Sequence, residues 1–276
     1  MMKKFGIISN EIKDPEMKVA ERICSFLSSH GAECIIVKDA QEITEEVECV
    51  LVLGGDGTML QAAGGIAGKN ILMIGVNLGT LGYLAEIELD NLEEALNQLL
   101  KDEYVLDERI KLQGRIESKD SVKDISPALN DISITRCGSL QIISLKIYVN
   151  GQFLCRWNAD GIIISTPTGS TGYNMSAGGP IVEPSANVIL LSPICAHTLN
   201  ARSIILKAED IVEIEIDSGH NGVVLQVEAN SDGNERVSME TGDKIFISKA
   251  ENTTKIIKLR KVSFLEILHK KMGDIQ

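Results

Sequence analysis

The sequence predicts a doubly wound α/β domain with a parallel sheet, followed by an all-β domain of layered sheets. The first hundred or so residues alternate between short apolar runs and segments with helical spacing, a pattern typical of a doubly wound sheet. From Tyr104 to about residue 260, strand-like runs follow one another with few helical stretches. Such a succession indicates layered antiparallel sheets. A chain of 276 residues has room for one or two domains of this kind.

The elements of the first domain follow from local signals. Phe5–Ser9 is a short apolar run that predicts a buried first strand. Asp14, followed by proline, supplies an N-cap and a first-turn proline for a helix that ends at Gly31. The run Cys49–Leu53 is apolar throughout, as expected for a parallel strand buried on both faces.

The second domain shows a different periodicity. Ile211–Ile216 alternates apolar and acidic side chains, which is typical of a half-exposed antiparallel strand. Phe264–Leu268 predicts a short amphipathic helix that packs back on the first domain. We therefore expect the first domain over residues 1–104, the β domain over 105–258 and a returning tail over 259–276. The junction has no flexible linker, so rigid packing is expected.

Charge and composition exclude several classes of function. The chain has 27 Lys and Arg against 39 Asp and Glu, a net charge of −12. Proteins that bind nucleic acid or anionic membranes need a positive surface, so neither is expected as a partner. A phosphorylated ligand remains compatible, because backbone N–H groups and a metal ion can hold phosphates in an acidic protein.

Cysteine usage and the absence of a signal peptide or an apolar span predict a cytoplasmic protein. The six cysteines form no C-x-x-C pair, and residues such as Cys49 lie inside apolar runs. We expect six free thiols in a reducing compartment. The apolar run near the N-terminus is too short for the core of a signal peptide.

The chemistry-bearing motif follows the Cys49–Leu53 strand directly and reads Gly54-Gly55-Asp56-Gly57-Thr58. A strand, a glycine-rich turn and a helix form the geometry in which backbone N–H groups receive a phosphate. An aspartate there would repel a phosphate, but it suits a group that takes a proton from an attacking hydroxyl or helps to position a metal. Taken alone, the motif fits equally a tight turn in which the aspartate caps the helix.

Two further segments strengthen the functional interpretation. Gly75–Tyr83 places a second glycine-rich turn after the next strand, at the sheet edge where ligands of α/β proteins bind. In the β domain, the segment Ser165–Pro180 is dense in hydroxyls and glycines. Its hydroxyls suit a ligand with ribose and amide edges, and Tyr173 can stack on a flat ring.

Together these motifs resemble the NAD kinases. G-G-D-G-T, G-V-N-L-G-T-L-G-Y, L-N-D, D-G-I-I-I-S-T-P-T-G-S-T-G-Y and S-P-I-C-A-H-T-L occur in the order seen in that family. G-G-D-G-T alone would also fit diacylglycerol kinases, sphingosine kinases and phosphofructokinases. The resemblance implies a Rossmann-like domain, a β-sandwich, and a homotetramer or homodimer with sites shared between subunits. It also implies phosphorylation of the adenosine-ribose 2′-hydroxyl of NAD by ATP or polyphosphate, with Mg²⁺ carried by the donor.

The resemblance assigns roles to residues of this sequence. Asp56 matches the proton acceptor, and no residue is expected to form a metal site of the protein's own. The phosphates are expected at Gly54, Gly55 and Thr58. The dinucleotide is expected at Gly57, Asn130, Asp131, Asn158, Asp160, Thr168, Thr171, Gly172, Tyr173, Ser176 and Asn234.

Five positions depart from the family pattern. Asp131 stands where the family has a glutamate, Gly172 where it has an alanine, and Asn158 where a basic residue is common. Ala196 replaces a proline, and Asn234 replaces a glutamine. The neighbouring histidine at position 197 is assigned a structural role at a strand end in preference to a catalytic one.

Two other functions compete with this interpretation. A lipid kinase of the diacylglycerol type would need an apolar mouth and a basic membrane-facing patch. The net charge of −12 argues against such a patch. A sensing module would bind NAD or NADH without turnover, but the presence of Asp56 in an intact motif argues against a site that has lost its activity. The amino-acid sequence does not determine the preferred donor, the use of NADH, feedback by NADP(H) or the exact oligomer.

Overall fold

The computed structural model describes residues 2–79, 82–138, 142–197, 200–218, 222, 224–259 and 263–273. The chain divides into two compact units. The first comprises the residues up to Arg109 together with those from Thr254 onward, and the second comprises Ile110–Thr253. These limits differ from the predicted boundaries after residues 104 and 258, because 105–109 and 254–258 pair with each other as strands in the sheet of the first unit.

The first unit is built around a seven-stranded sheet. Its elements up to residue 109 are β1 Lys4–Ser9, α1 Lys18–Ser29, β2 Glu33–Val37, β3 Cys49–Gly54, α2 Asp56–Gly65, β4 Leu72–Asn77, β5 Ala85–Glu88, α3 Leu92–Leu100 and β6 Val105–Arg109, and the end of the chain adds β19 Thr254–Lys258. The strand order is β2-β1-β3-β4-β19-β6, with β5 paired to β4, and every pair is parallel except β6 with β19.

The second unit consists of two six-stranded antiparallel sheets, with a single apolar core formed by residues of both. The elements are β7 Leu112–Glu117, β8 Val122–Ala128, β9 Asp131–Arg136, β10 Ile143–Val149, β11 Gln152–Ala159, β12 Gly161–Ser165, α4 Tyr173–Ser176, β13 Val188–Ile194, β14 Ile204–Lys207, β15 Val212–Asp217, β16 Gln226–Ser231, β17 Glu235–Glu240 and β18 Lys244–Lys249. One sheet has the order β11-β10-β15-β18-β7-β8 and the other β14-β13-β12-β9-β16-β17. The predicted fold class is thereby confirmed.

The chain then returns to the first unit through β19 Thr254–Lys258 and α5 Phe264–Gly273. The Phe264 ring lies 6.4 Å from the ring of Tyr83, and the Lys271 ammonium lies 4.2 Å from the centroid of the same ring. The predicted tail helix therefore contacts Tyr83 by an aromatic pair and a cation–π contact. None of the described helices is long and apolar enough to cross a membrane.

Local sequence signals determine how the first helix starts. The Asp14 carboxylate accepts hydrogen bonds from the backbone N–H groups of Val19 and Ala20, at 2.9 and 3.1 Å. It therefore holds the first turn of α1, but from four residues before the helix, since Met17 and not Asp14 occupies the N-cap position. The helix itself begins only at Lys18, because Glu16 and Met17 have positive φ angles.

The prediction of six free thiols is wrong for one pair. Cys24 on α1 and Cys34 on β2 form a disulfide, with Cα atoms 5.4 Å apart. The turn at Gly31 brings the helix back against the following strand, so the two residues meet across the packed pair. The other four described cysteines, at positions 49, 137, 155 and 195, are free.

Candidate active site

In the first unit the glycine motif forms the turn between β3 and α2. Strand β3 ends at Gly54, Gly55 is the N-cap and Asp56 is the first residue of the helix. A Cβ on Gly54 would overlap the Thr58 side chain, whereas one on Gly57 would have no neighbour within 4 Å. Gly54 is therefore needed for packing, and Gly57 leaves the entrance of the helix open to a ligand.

Asp56 does not cap its own helix. Its two carboxylate oxygens accept hydrogen bonds from the backbone N–H groups of Tyr83 at 2.9 Å and Leu84 at 3.0 Å. A Cβ on Gly82 would overlap this carboxylate. The interpretation of Asp56 as an N-cap is therefore wrong: the carboxylate is held by the next glycine-rich segment. Each oxygen keeps a lone pair for a further partner.

The second glycine-rich turn lies beside the first, because β3 and β4 are neighbouring parallel strands. The N–H of Leu78 donates to the Gly54 carbonyl at 3.2 Å, and the N–H of Gly79 donates to the Asn77 side chain at 3.0 Å. Thr80 and Leu81, which belong to the predicted segment Gly75–Tyr83, lie outside the described residues. The described part lies at the carboxyl ends of β3 and β4, the edge at which parallel sheets of α/β proteins bind ligands.

In the second unit the turn Leu129–Asp131 is held through its backbone from two sides. Its three N–H groups donate to the Asp232 carboxylate at 2.6, 2.9 and 3.0 Å. The Leu129 carbonyl accepts from the Thr166 hydroxyl at 2.6 Å, and the Asn130 carbonyl accepts from the Thr166 N–H at 2.8 Å. The backbone is thus fixed while the side chains of Asn130 and Asp131 are left for other partners.

Asp131 is a buried carboxyl in a site that disfavours its charge. The residue is 7% exposed, and its side chain makes no hydrogen bond within the described part of the chain. Burial, together with the nearby charge of Asp232, raises the pKa of Asp131 to about 7. Burial also raises the pKa of Asp232, against the opposing effect of its three N–H donors. Two carboxyls with shifted pKa values beside one turn are typical of a functional site.

Several hydroxyls of the segment Ser165–Pro180 are structural. Ser170 is fully buried and exchanges hydrogen bonds with the backbone of Val182 at 3.1 and 3.0 Å. Asn174, also fully buried, donates to the Pro180 carbonyl at 3.1 Å and accepts from the Ser192 hydroxyl at 2.7 Å. These buried polar groups stabilise the loop, which explains part of its hydroxyl content without a ligand.

Other residues of the same segment are more accessible. Tyr173 is 44% exposed, Ser176 is exposed and Thr171 is half-buried, while Thr168 is buried. Burial, and then the charge of Asp131, raise the pKa of the Tyr173 phenol, which places the tyrosine in the electrostatic field of that carboxyl. A Cβ on Gly172 would lie 3.3 Å from the Asn130 Nδ2, so glycine leaves room beside the asparagine side chain.

Asp160 sits in a pair with an arginine that the sequence did not single out. The Asp160 carboxylate lies 3.3 Å from the Arg136 Nε and 4.0 Å from the His197 Nε2. The N–H of His197 donates to the Asn158 carbonyl at 2.8 Å. A basic group therefore does face Asp160, but it comes from the end of β9 and not from position 158.

Asn234 lies exposed in the turn between β16 and β17, where its N–H donates to the Ser231 carbonyl at 2.9 Å. Asp232, in the same turn, has a φ of +50° and Gly233 a φ of +75°. The Asp-Gly pair between two strands is the sequence signal that could have identified Asp232 as a turn residue. Its contact with Leu129–Asp131 had no such signal.

The side chains of the described residues form no cluster of three or more histidine, cysteine or carboxylate groups that could hold a metal ion. The turn Gly54–Thr58 offers a single carboxylate, at Asp56. Magnesium commonly binds through one or two carboxylates together with phosphate oxygens and water. The residues present therefore fit a cation that arrives with a phosphorylated ligand.

Comparison with known protein families gives the decisive observation. The model of the ATP-NAD kinase N-terminal domain matches residues 36–104, and that of the ATP-NAD kinase C-terminal domain matches residues 129–259. The chain belongs to the ATP-NAD kinase family. The resemblance seen in the sequence is confirmed, and the chain is an enzyme that phosphorylates NAD to NADP.

Individual relatives within the ATP-NAD kinase family extend over the whole chain. The NAD kinase of Agathobacter rectalis is 44% identical over 99% of both chains. That of Lachnospira eligens is 42% identical over 98% of this chain and 100% of its own. The shared length includes both units of the structure.

Solved structures of the ATP-NAD kinase family have the same fold. Yeast NADH kinase complexed with NADH matches with a TM-score of 0.89 at 24% identity, over 100% of this chain and 89% of its own. An NAD kinase from Archaeoglobus fulgidus in complex with ATP matches with a TM-score of 0.80 at 23% identity, over 99% of this chain and 100% of its own.

Proposed function

We propose that this chain transfers the terminal phosphoryl group of ATP, or of polyphosphate, to the adenosine-ribose 2′-hydroxyl of NAD. The observation that carries the proposal is the Asp56 carboxylate. It lies at the open start of α2, next to backbone N–H groups suited to phosphate, and two N–H donors fix its orientation. Phosphoryl transfer to a hydroxyl requires two such groups side by side, a fixed carboxylate and a phosphate-binding turn.

In the proposed step Asp56 accepts the hydroxyl proton. The 2′-oxygen forms a bond to the terminal phosphorus, the bond from that phosphorus to the bridging oxygen breaks, and ADP leaves with the released electron pair. The backbone N–H groups of Gly55–Thr58 hold phosphate oxygens during the exchange. Because such transfer runs through a loose transition state, positioning contributes more than the strength of the base.

A divalent cation carried with the donor would neutralise phosphate charge when bound. The single carboxylate at the turn supports that assignment, since Asp56 has lone pairs left for a metal ion or its water. No metal site formed by the protein alone is required.

The dinucleotide is proposed to bind the second unit. Asn130 and Asp131 are held on a rigid turn by Asp232, and the Asp131 side chain has no hydrogen-bond partner among the described residues. A ribose hydroxyl would satisfy this carboxyl. Tyr173 offers an exposed ring for stacking, and Asp160 offers a charge for the cationic nicotinamide. The remaining proposed contacts are Gly57, Asn158, Thr168, Thr171, Gly172, Ser176 and Asn234.

The surroundings of the enzyme are also proposed. We infer a cytoplasmic homotetramer or homodimer with sites shared between subunits, and no nucleic-acid or membrane partner. The net charge of −12 supports the last point. The Cys24–Cys34 disulfide is unusual for a reducing compartment. Fractionation of cells and light scattering of the purified chain test these assignments.

One coupled assay tests the function. The chain is supplied with NAD, ATP and Mg²⁺, and NADP is detected with an NADP-specific dehydrogenase. We expect NADP to accumulate. Transfer of phosphate to a diacylglycerol without NADP formation would establish the lipid kinase instead, and NAD binding without transfer to either acceptor would establish the sensing module. Parallel runs with polyphosphate and with NADH determine donor and acceptor preference.

A further inference from the structure

Lys13 lies on the loop after β1, and its ammonium reaches both glycine-rich turns of the first unit. A Cβ on Gly79 would lie 3.1 Å from the Lys13 Nζ, and a Cβ on Gly55 would lie 3.3 Å from the same atom. Glycine at both positions therefore lets the ammonium approach the backbone of the two turns. The sheet favours this approach, because β1 and β4 flank β3 as parallel strands and the segments that follow the three strands leave from the same edge.

The loop that carries Lys13 is firmly held. The backbone N–H of Asn10 donates to the Leu53 carbonyl at 2.9 Å, which joins the loop to β3. The N–H of Lys13 then donates to the Asn10 carbonyl at 2.9 Å. On its other side, Asp14 is buried, and its carboxylate accepts the N–H groups of Val19 and Ala20 in the first turn of α1. Lys13 is thus anchored at the backbone on both sides, although the residue is exposed.

The Lys13 ammonium has no counter-ion within the described part of the chain. It makes no ion pair or hydrogen bond there, and Glu11, two residues earlier, pairs with Lys38 at 3.6 Å. Asp56, on the same turn as Gly55, bonds to the N–H groups of Tyr83 and Leu84 and does not pair with Lys13. A cation and an anion therefore share one turn without neutralising each other.

We propose that Lys13 binds the terminal phosphates of the phosphoryl donor; the inference rests on the proposed function of the site. A lysine ammonium beside backbone N–H groups at a helix start is suited to phosphate oxygens as a point charge. In a chain of net charge −12, an unpaired cation at this position supplies the local positive charge that a triphosphate needs. Asp56 is left free for the acceptor hydroxyl.

The position of the Lys13 ammonium favours the phosphates of the donor as its ligand over the diphosphate bridge of NAD. The Lys13 Nζ lies 3.3 Å from the position that a Cβ on Gly55 would take, and Gly55 directly precedes Asp56. The charge of Lys13 therefore lies beside the turn where the phosphoryl group is proposed to be transferred. The terminal phosphates of the donor must occupy that turn, whereas the bridge of the dinucleotide is several bonds away from the 2′-hydroxyl. The experiment below separates the two sources of phosphate.

The test compares Lys13→Ala and Lys13→Arg with the control Lys18→Ala, an exposed lysine of the same region whose ammonium pairs with Glu16 at 2.9 Å. Steady-state kinetics are measured with ATP and NAD varied separately. We expect Lys13→Ala to lower kcat/KM for ATP by about ten- to a hundredfold, the usual loss of a charged hydrogen bond, with KM for NAD unchanged. Lys13→Arg should retain most of the activity, and Lys18→Ala all of it.

A binding measurement makes the test independent of turnover. Titration calorimetry with inorganic tripolyphosphate, without NAD, should show about tenfold weaker binding to Lys13→Ala than to the unaltered chain. Unchanged ATP kinetics and tripolyphosphate binding would overturn the proposal. A rise in KM for NAD alone would overturn it in favour of the dinucleotide bridge. Equal losses in Lys13→Ala and Lys13→Arg with a lowered Tm would overturn it in favour of a structural role.

The two levels of the proposal fail in different ways. If the unaltered chain forms no NADP, the proposed function fails, while the tripolyphosphate titration still decides whether Lys13 binds phosphate. If the unaltered chain forms NADP and Lys13→Ala behaves like Lys18→Ala, the role of Lys13 fails and the proposed function stands.

Discussion

The Asp232 carboxylate accepts the backbone N–H of Asp131 at 3.0 Å, and the Asp232 N–H donates to the Asp131 carbonyl at 3.1 Å. The same carboxylate also receives the N–H groups of Leu129 and Asn130. One aspartate, about a hundred residues away in sequence, thus fixes the turn that presents two proposed dinucleotide contacts. We assign Asp232 a positioning role and expect its removal to affect the dinucleotide more than the donor.

Asp232→Asn tests this role. The amide replaces one acceptor oxygen by a donor that faces backbone N–H groups, which leaves a buried group unsatisfied at a cost of about 1–3 kcal/mol. KM for NAD should rise about tenfold or more, with KM for ATP unchanged and Tm lowered. Asp124→Asn, an exposed aspartate of the same unit, is the control. An equal rise of both KM values would assign Asp232 a purely structural role.

Asp56→Asn tests the proton acceptor. We expect kcat to fall by about 10²–10⁴-fold, the usual contribution of a general base, with the Kd for NAD nearly unchanged. Because asparagine keeps one oxygen for the N–H of Tyr83 or Leu84, the fold should survive, as circular dichroism would show. Asp90→Asn on the surface is the matched control. Near-normal turnover in Asp56→Asn would remove the assignment.

Gly82→Ala tests the support of Asp56. The added Cβ would overlap the carboxylate that the neighbouring N–H groups hold in place, so the carboxylate must move. A displacement of about 1 Å can cost about 10²-fold in rate, and kcat should fall accordingly with KM for ATP little changed. Gly64→Ala within α2 meets nothing within 4 Å and should keep full activity and an equal or higher Tm. Equal kinetics in the two variants would contradict the prediction.

The buried Asp131 predicts a pH dependence of stability. Its pKa is about 7 in the fold against 3.8 ordinarily, so the fold favours the neutral acid. The raised pKa of Asp131 contributes to the free energy of unfolding in full below about pH 4, and this contribution is lost as the pH rises through 7. Each unit of pKa shift corresponds to about 1.4 kcal/mol. The groups that interact with it are Asp232 and Tyr173. Between pH 5 and 8, Tm of the unliganded chain should therefore fall more steeply than Tm of Asp131→Asn. Parallel curves for the two proteins would refute this.

Much of the fold could be predicted from the sequence because its signals are local. A continuously apolar run predicts β3, the glycines after it predict the turn into α2, and alternation of apolar and acidic residues predicts β15. The placement of Asp56 at a strand-to-helix turn follows from the same neighbours in sequence. The groups that surround Asp56 do not follow from its sequence neighbours, since the N–H groups that hold its carboxylate are 27 and 28 residues away.

The order of an α/β and a β unit, the glycine motif with its aspartate and the resemblance to NAD kinases can all be read from the amino-acid sequence. The charges that face these motifs are known only from the folded chain: Lys13 at the glycine turns, Arg136 at Asp160 and Asp232 at the turn before β9. The same holds for the pairing of Cys24 with Cys34. Periodicity and turn chemistry act between near neighbours in the chain. The partner of a charge or a thiol depends instead on which strands and helices pack side by side.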